Sequence, residues 1–450
     1  TGVNLKIQQG ECVVLAGRSG CGKTTITRLL NGLIPNFYEG SLTGGIAVGG
    51  KHPNECQPHE LSGLVGSVFQ NPRTQFFNTD STSEIVFGME NAGMPRDEMR
   101  KRFERTVKDL QLNALVNRSI FALSGGEKQR VAFGGVYALL PQVYVLDEPT
   151  ANLDANAIRA LRGALMQVKK QGGTIVVAEH CLHYLNGVAD RIVLIKEGRI
   201  HKEWTAKSFA QLADDTLAED GLRPFHKTLI SAAQNDCKAA SGSAIELKSL
   251  TVGYGKTKVL ETFDFAADKA EIVGIAGANG NGKTTLARTI CGLHREFGGT
   301  VLFDGKAVRQ NKRSKYAYLV MQDPNYQLFT DSVENELRLC TEGKPPSDAQ
   351  IKEILKSLEL SEFKRRHPLS LSGGQKQRLA IALAALSPAQ VLIFDEPTSG
   401  LDRSNMRRVT DMLGLLAGRG KTILVITHDS ELLVARCHRI VNLPKKVATL

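Results

Sequence analysis

The chain repeats itself. "GRSGCGKTT" (17–25) returns as "GANGNGKTT" (277–285), "LSGGEKQR" (123–130) as "LSGGQKQR" (371–378), and "VYVLDEPTANLD" (143–154) as "VLIFDEPTSGLD" (391–402). "TIVVAEH" and "TILVITH" close on His180 and His428. The copies are spaced by 260 residues at Lys23 and Lys283, by 252 at Gln70 and Gln322, and by a constant 248 from Ser124 and Ser372 onward. Loop-length changes therefore fall early in the copy and none fall late. A repeat of this length constrains 450 residues to two like domains.

Each copy alternates short apolar runs with helical patterns. "ECVVLAG" and "EIVGIAG" lead into glycine loops, and "KTTITRLLNGL" and "KTTLARTICGL" read as helices. "VYVLDE" and "TIVVAEH" are continuous apolar runs, the pattern of parallel strands buried on both faces. An α/β fold is predicted, with helices flanking a mainly parallel sheet in each copy. The expected division is a first domain over 1–203, a linker over 204–243 and a second domain over 244–450. The linker ends in the flexible composition "KAASGSA", and 204–221 is a mixed stretch that can be helical. Tyr254 lies 29 residues before Lys283, and the same count back from Lys23 passes the first residue. The first copy is therefore expected to be truncated, without its opening strands and a matching aromatic.

A net charge of +11 favours anionic partners such as nucleotides. Eight cysteines are scattered without a C-x-x-C pair, which argues for reduced thiols rather than a disulfide frame or a zinc site. No apolar stretch approaches the roughly 18–20 residues of a membrane span. Work at a membrane would thus need partners that cross it.

The chemistry-bearing residues sit at the ends of the apolar runs. G-x-x-x-x-G-K-T between a strand and a helix is a P-loop, whose glycines let backbone N–H groups curl around phosphates at a helix N-terminus. It assigns Gly17, Arg18, Ser19, Gly20, Cys21, Gly22, Lys23, Thr24 and Thr25 to one nucleotide site. Gly277, Ala278, Asn279, Gly280, Asn281, Gly282, Lys283, Thr284 and Thr285 make the other. The lysines should reach the β- and γ-phosphates, and Thr24 and Thr284 should ligate Mg²⁺. Asp147 and Asp395 end buried strands and should complete the Mg²⁺ shell. Glu148 and Glu396 follow and project differently, so they can orient or deprotonate an attacking water. His180 and His428 each come 32 residues after the glutamate and are candidates to contact the γ-phosphate. Ser124 and Ser372 are expected helix N-caps, and the glycine pairs Gly125, Gly126 and Gly373, Gly374 expose backbone N–H groups as a second anion site.

Together the P-loop, the glutamine of "QNPRTQFF", the "LSGG" element, "LDEPT" or "FDEPT", "ANLD" or "SGLD" and the closing histidine resemble the ATPase domains of ABC proteins. The resemblance covers nearly the whole chain. It implies a P-loop ATPase fold with a helical signature subdomain in each copy, hydrolysis of ATP with Mg²⁺, and a head-to-tail intramolecular pseudo-dimer. One composite site would combine Lys23 with Ser372, Gly373 and Gly374, and the other Lys283 with Ser124, Gly125 and Gly126. It also implies that Gln70 and Gln322 approach Mg²⁺ and that Tyr254 stacks on adenine.

"QNPRTQFF" (70–77) and "QDPNYQLF" (322–329) are further similar to the loops of energy-coupling-factor (ECF) importers. That resemblance implies a motor at the cytoplasmic face of the cell membrane. Its partners would be a transmembrane T-type subunit and a substrate-binding membrane subunit, and its cargo a vitamin, vitamin precursor or transition metal ion. Phe76, Phe77, Leu328 and Phe329 would dock the membrane partner, with Asp80, Glu84, Asp331, Glu334 and Glu336 nearby. The alternatives are another fused tandem importer, such as one for sugars, and a soluble ribosome-associated ABC ATPase. The 204–243 stretch lacks the long charged linker of the ribosomal class, and no coiled-coil run suggests nucleic acid as a partner.

Overall fold

A computed structural model describes residues 2–151, 153–226, 242–255, 257–339 and 345–444. The chain divides into two compact units, residues 1–227 with 402–404 and residues 228–401 with 405–450.

The first unit is built on six strands: β1 (Cys12–Ala16), β2 (Val65–Val68), β3 (Val143–Asp147), β4 (Thr174–Ala178), β5 (Arg191–Lys196) and β6 (Arg199–Thr205). Their order in the sheet is β2-β3-β4-β1-β5-β6. All neighbours are parallel except β5 and β6, which form an antiparallel hairpin. The sequence explains the choice. Every residue of β1 and of β4 is buried, so both faces are covered, and the one hydroxyl among them, Thr174, accepts from the Gly10 N–H.

The second unit carries β7 (Ser243–Tyr254), β8 (Thr257–Asp268), β9 (Ile272–Ala276), β10 (Gly298–Phe303), β11 (Lys306–Ala307), β12 (Ala317–Val320), β13 (Val391–Asp395), β14 (Thr422–Ile426) and β15 (Arg439–Asn442). A five-stranded parallel sheet runs β12-β13-β14-β9-β15, strand for strand the order β2-β3-β4-β1-β5 of the first unit. A separate antiparallel sheet runs β11-β10-β7-β8. Beside it Arg313, 2% exposed, meets both oxygens of Glu296 at 2.6 and 2.9 Å and joins the segment before β12 to the one before β10. In both units the candidate residues follow the carboxyl ends of the parallel strands, where α/β sheets bind ligands.

One boundary differs from the sequence expectation. Residues 204–226, read as the start of a linker, belong to the first unit's core. Helices Ala206–Phe209 and Asp214–Glu219 place Phe209 and Leu217 there, joined by Leu222 and Phe225. Trp204 meets Phe209 edge-on at 5.7 Å, and Phe209 meets Phe225 at 4.8 Å. Burial of large aromatics is worth more than the composition of the stretch suggests. The "KAASGSA" stretch lies largely outside the described residues.

Candidate functional site: two phosphate loops and their strand ends

Each P-loop leaves its strand through a residue that only glycine accommodates easily. Gly17 has φ 146°, and a Cβ there would lie 2.3 Å from the Ile195 carbonyl oxygen. Gly22 and Gly282 then enter the helices Lys23–Leu30 and Lys283–Ile290 with left-handed backbone. Lys23 is buried, with Nζ donating to the Gly17 and Arg18 carbonyls at 3.0 and 3.2 Å and lying 3.3 Å from His180 Nε2. Lys283 repeats this with Gly277, Ala278 and His428 at 2.5, 3.1 and 3.1 Å. The predicted lysines and histidines therefore meet in both halves.

Thr24 Oγ1 donates to Asp147 at 3.2 Å, and Thr284 Oγ1 to Asp395 at 2.7 Å. A hydroxyl beside a single carboxylate is the hard-oxygen donor set Mg²⁺ takes when phosphates and water supply the rest. Burial raises the carboxyl pKa of both aspartates, reinforced at Asp147 by the neighbouring Glu148 charge.

Glu148 and Glu396 adopt left-handed backbone, φ 43° and 50°, uncommon for a residue with a side chain. Each is held by its N–H donating at 2.8 Å to the adjacent strand end, Ala178 or Ile426. The backbone turn is what swings the glutamate away from its aspartate. Their surroundings then differ. Glu148 meets His180 Nε2 at 3.2 Å and Gln70 Nε2 at 2.6 Å. Burial pushes its carboxyl up, but the His180 hydrogen bond and the charges of His180 and Lys23 leave it below the usual range. Glu396 accepts from Thr427 Oγ1 at 3.1 Å and from the His428 N–H at 3.3 Å, with the His428 ring at 3.7 Å. Burial, then the Asp395 charge, raises it to about 7.

Ser124 and Ser372 cap their helices as expected, each in a reciprocal capping box, with Glu127 in one half and Gln375 in the other. Tyr254 is 49% exposed, its ring 4.7 Å from that of His294 and its hydroxyl 3.4 Å from Thr285 Oγ1. An open aromatic face thus stands beside the second P-loop helix.

The four residues expected to dock a partner separate into two kinds. Phe77 and Phe329 are 76% and 82% exposed. Leu328 is 4% exposed and Phe76 packs half-buried on the first core, so neither presents a surface. The nearby acids are also engaged internally. Glu84, buried, accepts from the backbone N–H groups of Phe77 and Asn78 at 3.1 and 2.8 Å. Glu336, buried, accepts from Phe329 and Thr330 at 3.0 and 2.8 Å. Asp80 caps the helix Ser81–Asn91, Asp331 accepts from Asn335, and Glu334 pairs with Arg338 and Lys364. Glu84 and Glu336 thus shape the loop from inside, whereas Asp331 is exposed.

Sequence reasoning missed the second glutamine of each loop. Gln75 accepts from the Phe69 N–H and donates to the Ser67 carbonyl, and Gln327 does the same with Met321 and Leu319. A side-chain amide that caps a strand end with both its functions fixes where the phenylalanine emerges. The signal was present: both glutamines and both glutamates keep the 252-residue spacing of Gln70 and Gln322.

A family model described as ABC transporter matches residues 1–151 and 260–399. The chain belongs to the ABC transporter family. An ABC transporter ATP-binding protein of Treponema denticola, so described provisionally, is 46% identical over 98% of this chain and 91% of its own length. A Bacillus subtilis protein provisionally described as the HMP/thiamine import ATP-binding protein YkoD is 30% identical over 96% of this chain and 84% of its own. Among solved structures, a chain of the ribosome-bound archaeal Pelota and ABCE1 assembly superposes with TM-score 0.71 at 24% identity, over 97% of this chain and 73% of that one. At that identity the likeness shows a shared tandem fold. The ABC transporter family assignment makes this chain an ATPase with tandem ATP-binding domains. No described helix is long and apolar enough to cross a membrane.

Proposed function

We propose that this ATPase is the motor subunit of an ECF-type importer, acting at the cytoplasmic membrane face to drive uptake of a vitamin, vitamin precursor or transition metal ion. The observation that carries the reading is the paired loop. Phe77 and Phe329 stand exposed at matching positions, each on a backbone clamped by a buried glutamate. In the first half the glutamine that opens the loop also donates to Glu148. Similarity to the HMP/thiamine import protein supports micronutrient cargo.

In this reading the P-loop N–H groups, Lys23 and Lys283 bind the phosphates, and Tyr254 stacks on adenine in the second site. Thr24, Asp147 and Gln70 would hold one Mg²⁺, and Thr284, Asp395 and Gln322 the other. Bound there, Mg²⁺ neutralises charge on the β- and γ-phosphates. Glu148 and Glu396 accept the proton of the attacking water at a carboxylate oxygen, and His180 and His428 donate to the γ-phosphate. Ser124, Gly125 and Gly126, and Ser372, Gly373 and Gly374, would offer backbone N–H groups to phosphate at their helix N-termini. Phe77 and Phe329 would pass the change that hydrolysis brings to a T-type transmembrane subunit.

The test is to tag the protein, solubilise membranes in mild detergent and identify what co-purifies. A polytopic T-type subunit with a substrate-binding membrane protein is expected. Ribosomal proteins with no membrane partner would refute the reading, as would the membrane subunits of a sugar importer.

A further inference from the structure

β4 is followed by Glu179-His180-Cys181 and β14 by Thr427-His428-Asp429. The tripeptides hold equivalent positions, yet the acid has crossed from one side of the histidine to the other. In the second unit Asp429 accepts from Thr398 Oγ1 at 2.9 Å and caps the helix Ser430–Arg436. Thr427 is then available to hold Glu396 through its hydroxyl. In the first unit Thr150, the counterpart of Thr398, donates instead to Glu179 Oε2 at 2.7 Å, and Tyr184 Oη joins it at 3.2 Å. Glu179 Oε1 accepts the N–H groups of His180 and Cys181 at 2.8 and 3.1 Å. Glu179 is 3% exposed and receives four donors, so a buried carboxylate here is matched by hydrogen bonds rather than by a cation. No catalytic step described above uses it.

We propose that Glu179 and Thr427 are positioning residues that support the two water-activating glutamates differently. Thr427 ties Glu396 to its own strand end. Glu179 fixes the backbone of His180 and the following turn, and Glu148 is supported through the His180 ring and Gln70. The inference rests on the reading of Glu148 and Glu396 as the bases, and adds that hydroxyl dependence belongs to one half of the molecule. Neither Glu179 nor Thr427 is among the groups assigned above to hold ATP, and the P-loops that carry most of those contacts are untouched, so loss of either support should lower kcat and leave nucleotide affinity in place.

The experiment uses the full chain with one site silenced at a time. In E148Q, where the second site alone turns over, Thr427→Val should lower kcat about tenfold with KM and directly measured ATP affinity within about twofold. Thr427→Ser, which restores the hydroxyl, should return to within about threefold of the parent. In E396Q, the graft Glu179→Thr with Cys181→Asp should confer the same dependence on the first site, so that Glu179→Val with Cys181→Asp is slower than the graft by a similar factor. Valine replaces threonine at near-equal volume, and an unchanged thermal transition separates positioning from unfolding. The inference is overturned if T427V stays within twofold of its parent, if T427S is as slow as T427V, or if KM rises in step with the loss. A wild-type protein that hydrolyses ATP while E148Q is inactive would overturn the two-site reading itself, a different result from any of these.

Discussion

The same substitution in the two halves should change stability in opposite directions. Glu396 in the folded protein is raised from its ordinary 4.5 to about 7, chiefly by burial. Between those values the native state binds more protons than the unfolded one, so stability falls as pH rises from 4.5 through 7. At 1.36 kcal/mol per pH unit the loss is about 3 kcal/mol once pH exceeds the folded value. Glutamine cannot ionise, so Glu396→Gln should recover about 3 kcal/mol at pH 8 and no more than about 1 kcal/mol at pH 5. For a unit of about 200 residues that is a rise of roughly 6–12 °C in its transition. Glu148 has the opposite sign. Although burial opposes it, the His180 contact and nearby positive charge hold its carboxyl below the usual range, so its contribution is present above the unfolded value and lost as pH falls through the folded one. Glu148→Gln should therefore lower the first unit's transition at pH 8. Calorimetry without nucleotide or Mg²⁺, at both pH values, reads the two variants. Fluorescence of Trp204, the chain's one tryptophan, follows the first unit separately. The reasoning fails if both variants shift the same way at pH 8, or if E396Q gains as much at pH 5.

Two further outcomes are expected. On the proposal that each half carries its own base, steady-state ATP turnover should drop in E148Q and in E396Q alike; full activity in either would end the two-site account. Glu84→Ala and Glu336→Ala should each destabilise by about 2 kcal/mol, since part-buried backbone N–H groups lose a carboxylate acceptor. Both should reduce recovery of membrane partners while ATP affinity, measured by equilibrium titration, holds within about twofold.

The parts legible in the sequence are those with short-range chemistry. A P-loop declares itself because its glycines, lysine and threonine act within one turn of chain, and Ser124 and Ser372 because a cap and its reciprocal side chain lie three residues apart. The buried parallel strands followed from continuous apolar runs written twice, whereas their order in the sheet did not. What stayed hidden depends on tertiary burial. Nothing in "QLF" separates Leu328, inside the core, from Phe329, outside it; the clamp by Glu336 decides that, from seven residues downstream. Residues 204–226 lack helical or strand periodicity long enough to announce packing, and Phe209 and Phe225 are buried by contacts with each other and with Trp204. Glu179 belongs to no motif of the sequence. Its role emerges only when Thr150 and Tyr184 are seen to converge on it.

The loop that opens on Gln70 and its copy on Gln322 carry the claim that nucleotide chemistry is passed to a membrane partner. Phe77→Ala combined with Phe329→Ala removes the two exposed rings and leaves the loop clamps and P-loops unchanged. The decisive measurement compares, for wild type and this double variant, the amount of membrane subunit recovered in mild detergent and the affinity for ATP. The account predicts that the partner is lost while ATP affinity is unchanged. Full recovery of the partner by the double variant would contradict it.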